Sequence, residues 1–184
     1  MNRGNQILLA LTTLLSAAAV FAYDTPDKTV TEFIHRDSRG ERLGSKVSEM
    51  IDKLQIDNHF EPAWDTSVAI TGYLIKSIRM DGEATIASVL FMNSWTTSDD
   101  FDMKDVKDEE VEIHLKKTKD CWKISPPFTM PRIFPEVLLK HLEKVVEEDK
   151  TTDVGKGFLI DDQKRLDALR QYLSFIERRK GKEQ

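Results

Sequence analysis

Two runs of β-forming residues joined by an Asp-Gly pair constrain the fold of this chain more than any other feature. Residues 68–80 and 83–96 are rich in β-branched and aromatic side chains. Asp81-Gly82 between them predicts a two-residue hairpin turn, because both central residues of such a turn need a positive φ. The alternating faces of the second run are both largely apolar, which predicts a central strand covered on each side. We therefore expect a sheet built around a long antiparallel hairpin.

A second hairpin follows. Apolar and polar residues alternate over residues 110–116, as in a strand with one face in water. Residues 121–125 form the returning strand and carry Trp122, which predicts that Trp122 anchors the core. Pro126-Pro127 ends the pairing, because a proline nitrogen cannot donate to the ladder. The sheet is therefore expected to be antiparallel.

Amphipathic helices are expected before and after the sheet. Thr25-Pro26 is typical of a helix start, and Gly40 is typical of a helix end. Helical spacing of apolar residues predicts helices over residues 26–39, 43–54, 135–146 and 162–179. Asp161 or Asp162 is expected to cap the last helix. Its apolar stripe is expected to pack on its own domain, with packing on a second copy of the chain as the alternative.

The amino terminus has the pattern of a secretory signal peptide. Arg3 precedes an uncharged apolar run, and Val20-Phe21-Ala22 resembles a cleavage site. The run is about 14 residues long, which is short for a bilayer core of about 30 Å. We expect cleavage after Ala22, export to a periplasm or an extracellular space, and no membrane span afterwards. The alternative is that residues 1–22 stay as a membrane anchor.

Composition and motifs exclude several classes of protein. The single cysteine, Cys121, excludes an intrachain disulfide framework and a multi-cysteine metal cluster. Beside Trp122 it is interpreted as a buried small hydrophobic residue. A formal net charge of −5 gives no reason to expect nucleic-acid binding. No HExxH, phosphate-loop, dinucleotide-binding or nucleophile-elbow motif occurs, so no metal and no cofactor are expected.

The order of these elements resembles the NTF2-like superfamily, the ketosteroid-isomerase-like cone fold. Residues 25–33 look like the start of its first helix, and the hairpin over residues 73–92 resembles its long central hairpin. Asp120-Cys121-Trp122-Lys123-Ile124 is similar to its late strand. The resemblance covers residues 25–126. It implies an α+β fold in which N-terminal helices pack on a curved antiparallel sheet around an apolar pocket, here with a C-terminal helical extension.

The expected domain organisation follows from the signal sequence and this resemblance. It consists of a signal peptide over residues 1–22, an NTF2-like domain over residues 23–130 and a helical extension over residues 131–184.

Candidate site residues cluster just before the first β run. The acid–base candidates are His59, Glu61, Asp65 and Tyr73, and the ligand-binding candidates are Phe60, Trp64 and Tyr73. Desolvation raises the pKa of a carboxylate held against aromatic rings, which suits proton abstraction. Tyr73 could donate to an oxyanion from inside the cone. The alternative is that His59 and Glu61 are solvated loop groups and that Tyr73 is a core residue.

These observations leave three hypotheses for the function. The leading one is a secreted, periplasmic protein that binds a small apolar ligand or a protein partner without catalysis, with homodimerisation as one option. The second is an isomerase or dehydratase that uses acid–base residues in the pocket. The third is a membrane-anchored subunit for envelope assembly. The fold alone does not decide between them.

Overall fold

The computed structural model describes residues 24–43, 47–56, 66–81, 84–119, 121–153 and 155–182. Within these residues the chain is mixed α+β, with a curved, unclosed sheet of six strands and four α-helices. The helices are α1 Pro26–Ser38, α2 Val47–Leu54, α3 Pro135–Asp149 and α4 Leu159–Lys180. The strands are β1 Val68–Ala69, β2 Gly72–Asp81, β3 Ala84–Thr96, β4 Lys107–Lys117, β5 Trp122–Ser125 and β6 Arg132–Ile133. The predicted signal peptide lies outside the described residues.

The sheet has the strand order β5-β4-β3-β1-β6, and β2 also pairs with β3. The first predicted β run is divided into β1 and β2, which keep one register against β3: Ala69 pairs with Trp95 and Gly72 with Met92. Between them the amide of Ile70 donates to the carbonyl of Ile133, as the amide of Val68 donates to that of Pro131. The predicted all-antiparallel sheet is corrected at this point, since β1 and β6 are parallel.

The two predicted hairpins are confirmed. β2 pairs antiparallel with β3 and β4 with β5. Asp81 pairs with Ala84, so Asp81 belongs to the strand rather than to the turn, and Gly82 lies outside the described residues. Trp122 is buried at 4% exposure, as predicted. Cys121 is half-buried rather than buried, with its Sγ 3.4 Å from Thr118 Oγ1.

A first core fills the concave face of the sheet. α1 contributes Val30, Phe33 and Ile34, and α2 contributes Met50 and Leu54, all of them buried against alternate residues of β3, β4 and β5. The spacing i, i+3, i+4 in α1 places its three side chains on one face. Burial of each such side chain stabilises the fold by about 1.5–3 kcal/mol.

The other face of the sheet is convex and open. On β3, Ile86 and Leu90 are half-buried and Met92 is exposed, and on β2 Leu74 is 56% exposed. The prediction that both faces of β3 are covered is therefore wrong. α1 and α2 pack on the concave face, and the convex face of β2 and β4 keeps ion pairs such as Lys76–Glu110.

A second core lies between the end of the sheet and the C-terminal helices. Tyr172 of α4 stacks on Trp95 of β3 with ring centroids 5.4 Å apart, and Leu138 of α3 is buried beside them. Leu166, Leu169 and Ile176 of α4 join this cluster or line the buried side of the helix. The expectation that the last helix packs on its own chain is confirmed.

The helix boundaries differ from the sequence prediction in two places. α2 begins at Val47, because residues 41–43 form a separate 3₁₀ turn. α4 begins at Leu159 with Phe158 at the N-cap, so neither Asp161 nor Asp162 is the cap. Both carboxylates lie in the first turn instead, where they face the positive end of the helix dipole. None of the described helices is long and apolar enough to cross a membrane.

Candidate functional site

One row of side chains crosses the concave face where the cover of the first core ends. Tyr73 of β2 pairs with Phe91 of β3, and Phe91 pairs with Glu109 of β4. Residues directly opposite each other in a ladder point to the same face, so the three side chains share the concave surface. Phe91 is buried, whereas Tyr73 is half-buried and the Glu109 side chain is 39% exposed. This row therefore opens towards solvent at both of its ends.

At the other end of the concave face Thr85, Leu115 and Ile124 are 1–2% exposed, whereas Met80, which pairs with Thr85, is 67% exposed. Exposure alone therefore does not single out the Tyr73–Phe91–Glu109 row.

Arg132 lies over this row. Its backbone is fixed in β6, which pairs with β1, and its guanidinium carbon lies 4.7 Å from the centre of the Phe91 ring. Nη2 donates to Glu109 Oε2 at 3.1 Å, and Nη1 donates to the carbonyl of Met130 at 3.1 Å. The side chain is only 5% exposed, and stacking on an aromatic face stabilises a cation in such a place.

One donor of this buried guanidinium is unused. Arg132 Nε is buried and has no hydrogen-bond partner in the part of the chain that the structure describes. The N–H groups of Nε and Nη2 form one two-donor edge of a guanidinium, the edge that matches the two oxygens of a carboxylate. Glu109 occupies half of this edge with a single oxygen.

A buried ion pair from α1 holds the segment that carries Arg132. Asp37 Oδ2 accepts from the backbone amide of Arg132 at 3.0 Å and lies 3.3 Å from Arg42 Nη1. Arg42 Nη2 also donates to the carbonyl of Thr129 at 2.7 Å. These contacts tie residues 129–132 to the C-terminal end of α1. Arg132 is thus positioned by a rigid network rather than by a mobile loop.

The predicted site residues fall into two groups. His59, Phe60, Glu61, Trp64 and Asp65 lie outside the described residues. Tyr73 is described, packs against the first core and belongs to the row that Arg132 covers.

Glu109 and Arg132 were not predicted, although both have a signal in the sequence. Glu109 is in phase with Val111 on the apolar face of β4, where a carboxylate is out of place. Arg132 interrupts the apolar run of residues 128–134. A charge on an apolar face or in an apolar run indicates either a buried partner or a ligand site.

The histidines and acidic clusters provide no metal site among the described residues. His35 is exposed, with Nε2 3.3 Å from Arg39 Nη1. Burial lowers the pKa of His141, with a further contribution from Lys144.

The chain was compared with protein-family models, curated proteins and solved structures, and none of them matches it.

Proposed function

We propose that this protein is an exported, NTF2-like binding protein that takes a small apolar ligand with a carboxylate group and does not transform it. The half-occupied donor edge of the buried Arg132 carries the proposal. The ligand lies on the Tyr73–Phe91–Glu109 row, and its carboxylate takes the edge that Glu109 shares. Residues 1–22 act as the export signal, and the mature chain begins at Tyr23.

The energetics favour an anion at this place. A buried donor left without a partner costs about 1–3 kcal/mol, and more for a charged group. A ligand carboxylate that displaces Glu109 binds both Nε and Nη2, so one more hydrogen bond forms, at the cost of some repulsion from the displaced Glu109 carboxylate. Glu109 is 39% exposed and can turn into water when it is displaced. The exchange therefore removes the penalty of the unused donor at small electrostatic cost.

The surroundings favour an apolar body on the ligand. Phe91 forms the floor, and half-buried Phe128 and Met130 pack against the same core. Binding sites for small ligands typically combine an apolar lining with a few polar groups that fix the orientation.

The contacts of Glu109 favour binding over catalysis. Within the described residues it contacts one polar side chain, that of Arg132, and no second acid–base group. A pocket isomerase or dehydratase remains the second candidate, because Tyr73 and Glu109 share one row of the concave face. Turnover of a carbonyl substrate that is lost in Glu109→Gln would establish this candidate instead.

Octanoate is a suitable probe, with octanol as the uncharged comparison. Isothermal titration calorimetry should show that octanoate binds at least ~10-fold more tightly than octanol, since bonds to charged groups contribute about 1.5–3 kcal/mol. Arg132→Lys keeps the charge but lacks the two-donor edge, and should weaken octanoate binding at least ~10-fold. Glu109→Gln removes the competing carboxylate and should strengthen it.

A matched control is Glu112→Gln on the convex face, where Glu112 pairs with Arg79 at 2.9 Å. This variant should bind octanoate as the wild type does. The proposal is wrong if octanol and octanoate bind equally, or if Arg132→Lys and Glu109→Gln leave binding unchanged.

The export part of the proposal has its own test. Mass spectrometry of the protein from its native host should show Tyr23 as the first residue. A chain that retains Met1 and fractionates with membranes would support the anchored envelope-assembly subunit instead.

A further inference from the structure

A groove runs between α4 and the loop of residues 97–106, beside the second core. It consists of two adjoining open clefts of about 490 and 560 Å³, which share Phe101 and Asp102. We call this surface the α4 groove. It is separate from the Tyr73–Phe91–Glu109 row.

The two ends of the α4 groove carry opposite charge. Asp99, Asp100 and Asp105 line the cleft near Arg165, whereas Arg170 and Arg178 line the other cleft. Arg165 and Arg178 are 13 residues apart on one helix, so the two ends are separated by about 20 Å at 1.5 Å per residue. The groove is therefore a charge dipole along α4.

The charges at the two ends are not fully neutralised within the chain. Arg165 pairs with Asp99 at 3.3 Å, and Arg170 pairs with Glu143 at 3.2 Å. Asp100 and Arg178 are exposed, and neither has an ion pair within the described part of the chain. At the acidic end Asp105 is likewise exposed and without an ion pair among the described residues, so acidic groups at one end and a basic group at the other remain available to a partner.

The middle of the α4 groove combines a firmly supported aromatic ring, Phe101, with the exposed carboxylate of Asp102, which also lines both clefts. Phe101 contacts Tyr172 and Phe175 with ring centroids 6.1 and 5.9 Å apart, and it contacts Trp95 edge-on at 5.5 Å. Met103 beside it is 61% exposed. Phe101 and Met103 thus provide apolar surface between the two charged ends.

We propose that the α4 groove is the interface of a homodimer in which the α4 helices of two copies lie antiparallel. A two-fold rotation brings the basic end of each groove onto the acidic end of the other, so that Arg178 of each copy faces Asp100 of the other copy. Met103 and Phe101 of the two copies meet at the centre. An isologous interface requires a surface that is complementary to itself, and a groove with one acidic end and one basic end meets this requirement when it is reversed.

The charge pattern favours a second copy over a foreign protein. Any other partner needs an apolar segment with an acidic end and a basic end at this spacing, whereas the reversed groove provides all three features. The buried side of α4 remains packed on its own chain, so the dimer forms without unfolding the second core.

The test uses the mature chain, residues 23–184, in sedimentation velocity over a range of concentrations. The wild type should dimerise, and high salt should raise the dissociation constant because exposed charges are screened. Arg178→Glu and Asp100→Lys should each raise the dissociation constant at least ~10-fold, since each variant juxtaposes like charges. The double variant restores opposite charges and should return to within about threefold of the wild type.

Lys116→Glu on the convex face serves as the control and should dimerise as the wild type does. A protein that stays monomeric at millimolar concentration, or a double variant as weak as the two single variants, would overturn the homodimer. Octanoate binding by Arg178→Glu should equal that of the wild type, so this result is independent of the proposed ligand site.

Discussion

The two cores of this protein place polar groups in opposite ways. The first core is mostly aliphatic and encloses charge: the Asp37–Arg42 pair has side chains 4% and 1% exposed, and Arg132 lies over Phe91. The second core is built around the stacked rings of Trp95 and Tyr172, and the hydroxyl of Tyr172 reaches a backbone carbonyl at its edge. A cation held out of water is one basis for an anion site, and among the described residues Arg132 of the first core is such a cation.

Asn93 is the point on β3 where the two cores meet. Its φ is +50°, a left-handed conformation that Asn tolerates better than most residues. Its carbonyl accepts from Tyr172 Oη at 2.7 Å, and its side-chain oxygen accepts from Arg179 Nη1 at 2.9 Å. Phe91 before it belongs to the first core, and Trp95 after it belongs to the second. The bend at Asn93 therefore lets one strand serve both cores.

Truncating one tryptophan in each core should have the largest effect. Trp122→Ala in the first core and Trp95→Ala in the second should each destabilise the protein by about 3–5 kcal/mol, the usual cost of removing a buried aromatic side chain. Because β3 spans both cores, each variant should unfold in one transition. Urea unfolding followed by far-UV and near-UV circular dichroism would check this.

Leu74→Ala on the convex face is the control for these variants, because Leu74 is 56% exposed and should change stability by less than about 1 kcal/mol. If Trp95→Ala showed a first unfolding transition at low urea in which the near-UV circular dichroism of Trp122 did not change, the two cores would unfold as independent units.

Helices and strands in which apolar residues recur at a clear period were predicted from the sequence more accurately than the contacts between these elements. The β2–β3 hairpin and α1 follow from alternation and from caps. β1 and β6 have two residues each, which is too short for any period, so the parallel pair was missed. The sequence predicts an α4 stripe of Leu166, Leu169, Leu173 and Ile176, widened by Tyr172 and Phe175. All four residues of the stripe except Leu173 are buried, and Tyr172 is fully buried because it stacks on Trp95.

The candidate site was less predictable than the fold for the same reason. Tyr73 was predicted from its strand, but Arg132 reaches Glu109 across 23 positions of sequence. A contact between remote residues leaves no periodic pattern. Such a contact is indicated only by an isolated charged residue within an apolar run, and the sequence does not identify the residue that it pairs with.

A smaller effect should come from the hydroxyl at the edge of the second core. Tyr172→Phe keeps the ring stacked on Trp95 but removes the donor to the carbonyl of Asn93. A buried carbonyl left without its partner costs about 1–3 kcal/mol. Thermal unfolding should therefore show a lower Tm for this variant.

Tyr73→Phe is the matched control in the first core, because the described residues provide no hydrogen bond to the Tyr73 hydroxyl. It should change stability by less than about 0.5 kcal/mol. If Tyr172→Phe and Tyr73→Phe lowered the stability equally, the hydrogen bond from Tyr172 to Asn93 would contribute nothing to stability.

The smallest effect should come from a carboxyl pair at the joint between α3 and α4. In the first core Asp37 faces a guanidinium, whereas Asp162 in the first turn of α4 lies beside the carboxyl of Asp149 at the end of α3. Burial raises the pKa of Asp162 above its ordinary 3.8, and Asp149 raises it further, while Arg165 opposes the shift. Arg165 also pairs with Asp99, and Asp161 pairs with Lys164.

The raised pKa sets the direction of the pH dependence. The folded chain holds this proton more tightly than the unfolded chain, so the contribution to stability is complete below pH 3.8 and is lost as the pH rises through the pKa of folded Asp162. Asp162→Asn has no proton to lose and should be more stable than the wild type at pH 7, by at most about 1 kcal/mol, a typical value for exposed charge pairs. The advantage should vanish at pH 3.

Urea unfolding of Asp162→Asn and the wild type at pH 7 and pH 3 measures this difference in stability, with Asp161→Asn as the control that should show no gain. A loss of stability in Asp162→Asn at pH 7 would mean that the attraction of Arg165 exceeds the repulsion of Asp149, and the joint would then resemble the Asp37–Arg42 pair.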